Sequence, residues 1–156
     1  MEYAEELGVE WLILADAAEV TGQKLYLLGG GWDRLTVNKI PASHRIAAAV
    51  SFRVPWEETN RKHEFEFEIT DGDGARLARL DGQFEVGRPP GVPQGSPRRG
   101  QIALNMIVEF KRLGTYMISA TVDDREARTF PFFVMPGPAL AAELQKEQQT
   151  RLDDEQ

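Results

Sequence analysis

Asp71-Gly72-Asp73-Gly74 opens like a calcium loop, because alternate carboxylates around a glycine can fold onto a hard cation. An EF-hand would continue with a ligand at 75, a glycine at 76 and a glutamate at 82, where this chain has Ala75, Arg76 and Gly82. The stretch therefore reads as a hairpin turn, and the same reading applies to Asp123-Asp124. Gly29-Gly30-Gly31 could cradle an anion on its backbone amides. A phosphate loop runs on into a helix, however, and Trp32-Asp33 leads into another strand-like run. These glycines read as a bulge or bend at positive φ. Glu64, Glu66 and Glu68 alternate with Phe65, Phe67 and Ile69, which sets three carboxylates about 7 Å apart on one face of a strand. Such a row can bind cations; its ordinary use is a solvated face paired with Arg or Lys across the strands. There is no cysteine, and His44 and His63 are the only imidazoles. No third ligand joins them, and no serine sits in Gly-x-Ser-x-Gly. No catalytic residue, metal or cofactor is predicted.

Two loops offer binding chemistry instead. Residues 55–62 place Trp56 between two strands, where a partner could use it as an anchor or where it folds back over the core. Residues 87–100 hold four prolines with Arg88, Arg98 and Arg99, and a loop of that length is uncommon unless it is functional or disordered. It could present an extended recognition segment or act as a stiff crossover between sheets.

The elements that must position these loops are strands. Period-2 runs recur at 9–16, 24–29, 34–38, 45–54, 63–70, 76–80, 83–86, 101–110, 115–122 and 129–134, with turn residues between them, including Asp81-Gly82. In 45–54, Ile46, Ala48, Val50, Phe52 and Val54 form an inner face. The other face is small and flat, with Ala47 and Ala49. Ile107, Met117 and Phe133 also fall on outer positions, and together with those alanines they would make an apolar patch if their strands shared one sheet. Pro131 removes an amide donor from the last strand, which places it at an edge or an irregularity. The expected organisation is an acidic N-terminal extension at 1–7, a β-sandwich at 8–136, and a C-terminal helix or acidic tail at 137–156. Leu140 and Leu144 share a helix face that could dock on the apolar patch.

The closing run Gly114-Thr115-Tyr116, with its polar turn at 123–125 and the return through Phe130 to Val134, resembles the last hairpin of an immunoglobulin-like sandwich, where a tyrosine pins a corner. Further, Leu14-Ala15-Asp16-Ala17, Leu25 to Asp33, Val54-Pro55-Trp56 to Asn60, and Phe84 to Gly91 together resemble a bacterial family of small single-domain proteins of unknown function, over about Val9 to Met135. The resemblance implies a shared sandwich and no activity. The fold class is thus all-β, an antiparallel immunoglobulin-like sandwich with a short C-terminal helix or tail.

The net charge of −7 sits at the ends, where residues 1–7 and 137–156 together hold −6 of it. A nearly neutral body lacks the clustered basic face that duplex binding needs, so nucleic acid is not expected as a partner. The acidic start lacks the basic region of a secretory signal, and no apolar run approaches a membrane span, so a cytoplasmic protein without membrane contact is expected. The function expected is a non-catalytic interaction or structural module working through a protein partner or as a homodimer. The alternative is a small-ligand or carbohydrate-binding sandwich that stacks its ligand on an exposed Trp32 or Trp56.

Overall fold

Alternation of apolar and polar side chains commits most of the chain to strands, each of which must bury one face. The computed structural model describes residues 6–125 and 127–156; of the expected 1–7 extension, residues 1–5 lie outside the described residues. β1 (Gly8–Thr21), β2 (Lys24–Gly30), β4 (Ala42–Val54) and β7 (Arg98–Phe110) form an antiparallel sheet in the order β2-β1-β4-β7. β3 (Arg34–Val37), β5 (Lys62–Asp71), β6 (Arg76–Glu85), β8 (Gly114–Val122) and β9 (Arg128–Pro136) form the second, in the order β3-β9-β8-β5-β6.

The second sheet is mixed, which corrects the wholly antiparallel expectation. β3 runs parallel to β9, from Arg34 beside Phe133 to Val37 beside Pro136. Tight hairpins impose antiparallel pairing, but β3 reaches its sheet from β2 of the other one, so no hairpin fixes its direction. The glycines between make that switch: Gly29 and Gly31 have φ of 59° and 90°, and the Gly31 amide donates back to the Leu14 carbonyl at 2.8 Å. At Gly29 a side chain is also excluded, because the Asp16 carboxylate lies 2.2 Å from where a Cβ would stand. Pro131 sits on β9 before its pairing with β3 begins at Phe133, so its missing donor faces the side that β3 leaves open.

Asp81-Gly82 is not a turn. β6 runs through it, with Gly82 opposite Phe65, and the Phe65 ring lies 2.8 Å from the absent Cβ. The aromatic ring covers a strand glycine and fills its place in the sheet.

Between the sheets, Phe52, Phe67, Phe110, Phe132, Ile46, Ile69 and Ile118 are fully buried. Tyr116 meets Phe110 edge-on at 5.0 Å and stacks near Phe132 at 5.6 Å. Its hydroxyl donates to the Arg112 carbonyl at 2.7 Å, tying the start of β8 to the bend before it. α1 (Pro138–Asp154) follows β9. Its Leu140 joins the core, whereas Leu144 and Leu152 are exposed, so the helix is anchored by its first turn and does not lie on the apolar outer positions.

Candidate interaction surfaces

The flat alanine face of β4 has a purpose that its sequence does not declare. β1 pairs with β4 only as far as Ala15 opposite Ala47, and the rest of the β1–β2 hairpin leans across the outer face of the sheet. Asn105, on the outer face of β7, holds it there: the Ala18 amide donates to Asn105 Oδ1 at 3.2 Å and Asn105 Nδ2 donates to the Ala18 carbonyl at 2.8 Å. The side-chain amide thus acts as a peptide group of a missing strand. Nearer the hairpin tip, Gln101 Nε2 donates to the Gln23 carbonyl at 3.4 Å. Beneath this arm Ala15, Ala18, Ala47 and Ala49 are buried, with Trp11, Leu25 and Ala103 packed on them.

Ala47 and Ala49, expected as partner-facing residues, are therefore 0% exposed. Small side chains are needed there because the molecule's own hairpin comes down on them. Nor is there a single patch. Met117 and Phe133 are half-buried on the five-stranded sheet, while Ile107, at 76% exposure, lies on the other sheet with the alanines.

Beside the arm, Glu10 gathers cations from two strands. Arg99 on β7 forks onto both its oxygens at 2.6 Å, Ser51 on β4 donates at 2.9 Å and Arg53 at 3.3 Å. Arg99 is thereby committed to a structural ion pair. The hydrogen bonds from Arg99, with those from Ser51 and Arg53, hold the Glu10 carboxyl at a pKa of about 2 against the opposing effect of burial. The irregularity in β1 between Val9 and Trp11 places Glu10, and Arg128 donates to the carbonyls of Val9 and Glu10 at 3.2 Å.

The loops predicted to bind converge at one end of the two sheets. Trp56–Glu58 forms a 3-10 turn, and Arg88 lies over the Trp56 ring with 4.0 Å from guanidinium carbon to ring centre. Arg88 also donates to Thr59 Oγ1 and to the Trp56 carbonyl, both at 2.6 Å. Arg98 donates to the Gly87 carbonyl. The sequence-predicted Trp56, Arg88 and Arg98 are thus brought together, and Arg99 is not among them. The loop from 86 to 97 does carry the chain from one sheet to the other, through two turns in which Val92 and Ser96 amides donate to Pro89 and Pro93 carbonyls at 3.2 Å. Gly91 and Gly95 supply positive φ at 93° and 82°.

His63 locks this end from beneath. It is 1% exposed; Nδ1 lies 2.7 Å from the Asp123 carboxylate in the β8–β9 turn and Nε2 lies 2.6 Å from the Glu58 carbonyl. Each ring nitrogen thus meets an oxygen from a different loop, and the imidazole bridges the two. Burial raises the Asp123 pKa, and hydrogen bonds from His63 and the Glu64 amide, with the charges of His63 and Arg125, outweigh it and lower the pKa overall. The Asn60 amide adds a bond to the Val86 carbonyl at 2.8 Å, so three loops are fastened to one another.

Trp32 is half-buried and meets Phe132 edge-on at 6.3 Å. It is not an exposed platform. Two carboxylates of the row are paired as expected of a solvated strand face: Glu66 with Arg79 at 2.8 Å and Glu68 with Arg76 at 3.3 Å. Among the described residues no three His, Asp or Glu side chains gather as a cation would require, and no helix is long and apolar enough to cross a membrane. Sequence reasoning did not single out Glu10, Asn105 or the His63–Asp123 pair. The signals were present as a lone acid and a lone amide in apolar strands, and as a histidine on the apolar parity of β5. The model of a family described as of unknown function, DUF6941, matches residues 10–135. No curated protein matches the chain.

Proposed function

The chain belongs to the DUF6941 family, and from the geometry of its loop end we propose that it is a non-catalytic interaction module of immunoglobulin-like topology. The topology is supported by β3 running parallel to the final strand, by the orders β1-β4-β7 and β3-β9-β8-β5-β6, and by the Tyr116 hydroxyl bonded to a carbonyl four residues upstream. In such sandwiches the loops at one end recognise partners. That analogy concerns fold alone, and the reading is carried by the Trp56–Arg88 stack. Tryptophan and arginine are the side chains that most often dominate binding energy, and here an exposed Arg88 lies on a half-buried Trp56, its geometry fixed by Thr59 and the Trp56 carbonyl. A preordered anchor loses little entropy on binding. The lack of cysteine fits a reducing compartment such as the cytoplasm.

The experiment is affinity capture from source-cell lysate with identification of what is bound, comparing the native protein with Trp56→Ala and Arg88→Ala variants that retain their circular dichroism. A protein held by the native chain and lost by both variants supports this reading. A captured set unchanged by either substitution overturns it. Intrinsic fluorescence checks a stacking ligand separately: Trp56 covered on one ring face by Arg88 predicts no quenching by simple sugars.

A further inference from the structure

The β1–β2 hairpin turns through Gly22 and Gln23, both at positive φ, 57° and 64°. In a two-residue turn of this type the flanking pair, here Thr21 and Lys24, exchanges both backbone bonds. Backbone direction alternates from there, so the N–H and C=O groups of Leu25 and Leu27 point away from β1. β2 ends the order of its sheet, and those groups face outward on an edge that no strand among the described residues covers.

The other three sheet edges are blunted in the usual ways. β6 carries Arg76, Arg79, Asp81 and Glu85, and β3 has only four residues and starts with Arg34. β7 carries Arg98, Arg99 and Glu109, and the Phe84 ring closes over its Gly100 at 2.8 Å from the absent Cβ. β2 has no such protection. No charge stands between Leu25 and Gly31, and Tyr26 and Leu28 are 56% and 71% exposed. Its arm is nonetheless held against the body by Asn105 and Gln101, so the edge is preformed.

We propose that β2 is a self-pairing edge through which two copies of this chain associate antiparallel about a two-fold axis at Tyr26. In that register Leu25 of each copy exchanges both backbone bonds with Leu27 of the other, and every outward donor of the regular part of β2 meets an acceptor. Gly29, at φ 59°, bends the strand and ends the paired stretch. Tyr26 faces its own counterpart at a non-hydrogen-bonded position, where Cα atoms come within about 4.5 Å and side chains pack closely. Lys24 faces Leu28, whose side chain its aliphatic stem can cover. No like charges oppose one another. The strand is its own complement, as an isologous interface demands, and this favours a second copy over a foreign strand. The two four-stranded sheets become one of eight. This surface is separate from the loop end that carries Trp56.

Sedimentation equilibrium of the full chain up to about 100 μM tests this. The native protein is expected to approach twice its 17.5 kDa. Tyr26→Lys, which sets two ammonium groups face to face on an exposed position, weakens association by about tenfold or more, and mixing Tyr26→Lys with Tyr26→Glu restores it. Because the chain has no cysteine, Tyr26→Cys is expected to cross-link into a covalent dimer under mild oxidation, whereas Leu28→Cys, opposite Lys24, does so far more slowly. A native protein that stays at monomer mass throughout, a dimer indifferent to Tyr26→Lys, or cross-linking as fast through position 28 as through 26 overturns the proposal.

Discussion

Glu10 shows how one side chain fixes the relation of three strands. Its carboxyl is ordinarily protonated near 4.5 and is held at about 2 in the folded chain, so its contribution to stability is fully present above about 4.5 and fades as pH falls toward 2. Arg99 is more than half exposed, and solvent screening reduces what the shift implies to about 2 kcal/mol. Glu10→Gln should lower unfolding free energy by about that amount at pH 7, and the difference from the native protein should vanish near pH 2, as urea denaturation at both ends would show. His63 is a different case: the ring itself is buried, while its partner Asp123 is one-third exposed and keeps a bond from the Glu64 amide. His63→Ala removes the bonds to the Asp123 carboxylate and the Glu58 carbonyl and empties a buried site, and is expected to cost about 2 kcal/mol, read as a fall in Tm. Trp56 and Arg88 should lose their fixed geometry in the same variant, because the turn that presents them rests on His63.

At the scale of elements, the hairpin arm and its alanine floor form one unit. Ala49→Glu would bury a carboxylate under the arm and should expel it, costing several kcal/mol and opening the Lys24 peptide bond to trypsin. Asn105→Ala removes two backbone bonds without touching the core and should cost about 1–2 kcal/mol; its signature is faster proteolysis at Lys24 with the central core intact. Periodicity made most strands legible, because alternation such as Ile46 to Val54 has a single reading. It could not reveal that the outer alanines were covered, since a small side chain looks the same under a hairpin as under water. Gly82 misled for a related reason: a glycine after Asp normally signals a turn, and the Phe65 ring that lets it lie in a strand comes from 17 positions earlier. The direction of β3 was illegible because no turn dictates it. Of the candidate site, Trp56, Arg88 and Arg98 were chosen by residue type and do meet, whereas Arg99 has the same type and a nearer claimant in Glu10.

For the molecule as a whole, charge and packing are divided. The acidic helix α1 contributes one buried side chain, Leu140, so deletion of residues 145–156 should leave Tm within about 2 °C while lowering net negative charge and solubility. The Asn105 clamp has a further bearing, on time. It joins residues 87 positions apart, and neither the β1–β2 turn nor the β4–β7 pairing can form it alone, so closure of the arm must wait until the four-stranded sheet exists. Nascent chains therefore pass through an interval in which Ala47, Ala49 and the unclamped strand Lys24–Gly30 are uncovered together. A ribosome pausing before residue 105 has emerged would lengthen that interval, and pulse-labelling hydrogen exchange during refolding should find the Ala18 amide protected last.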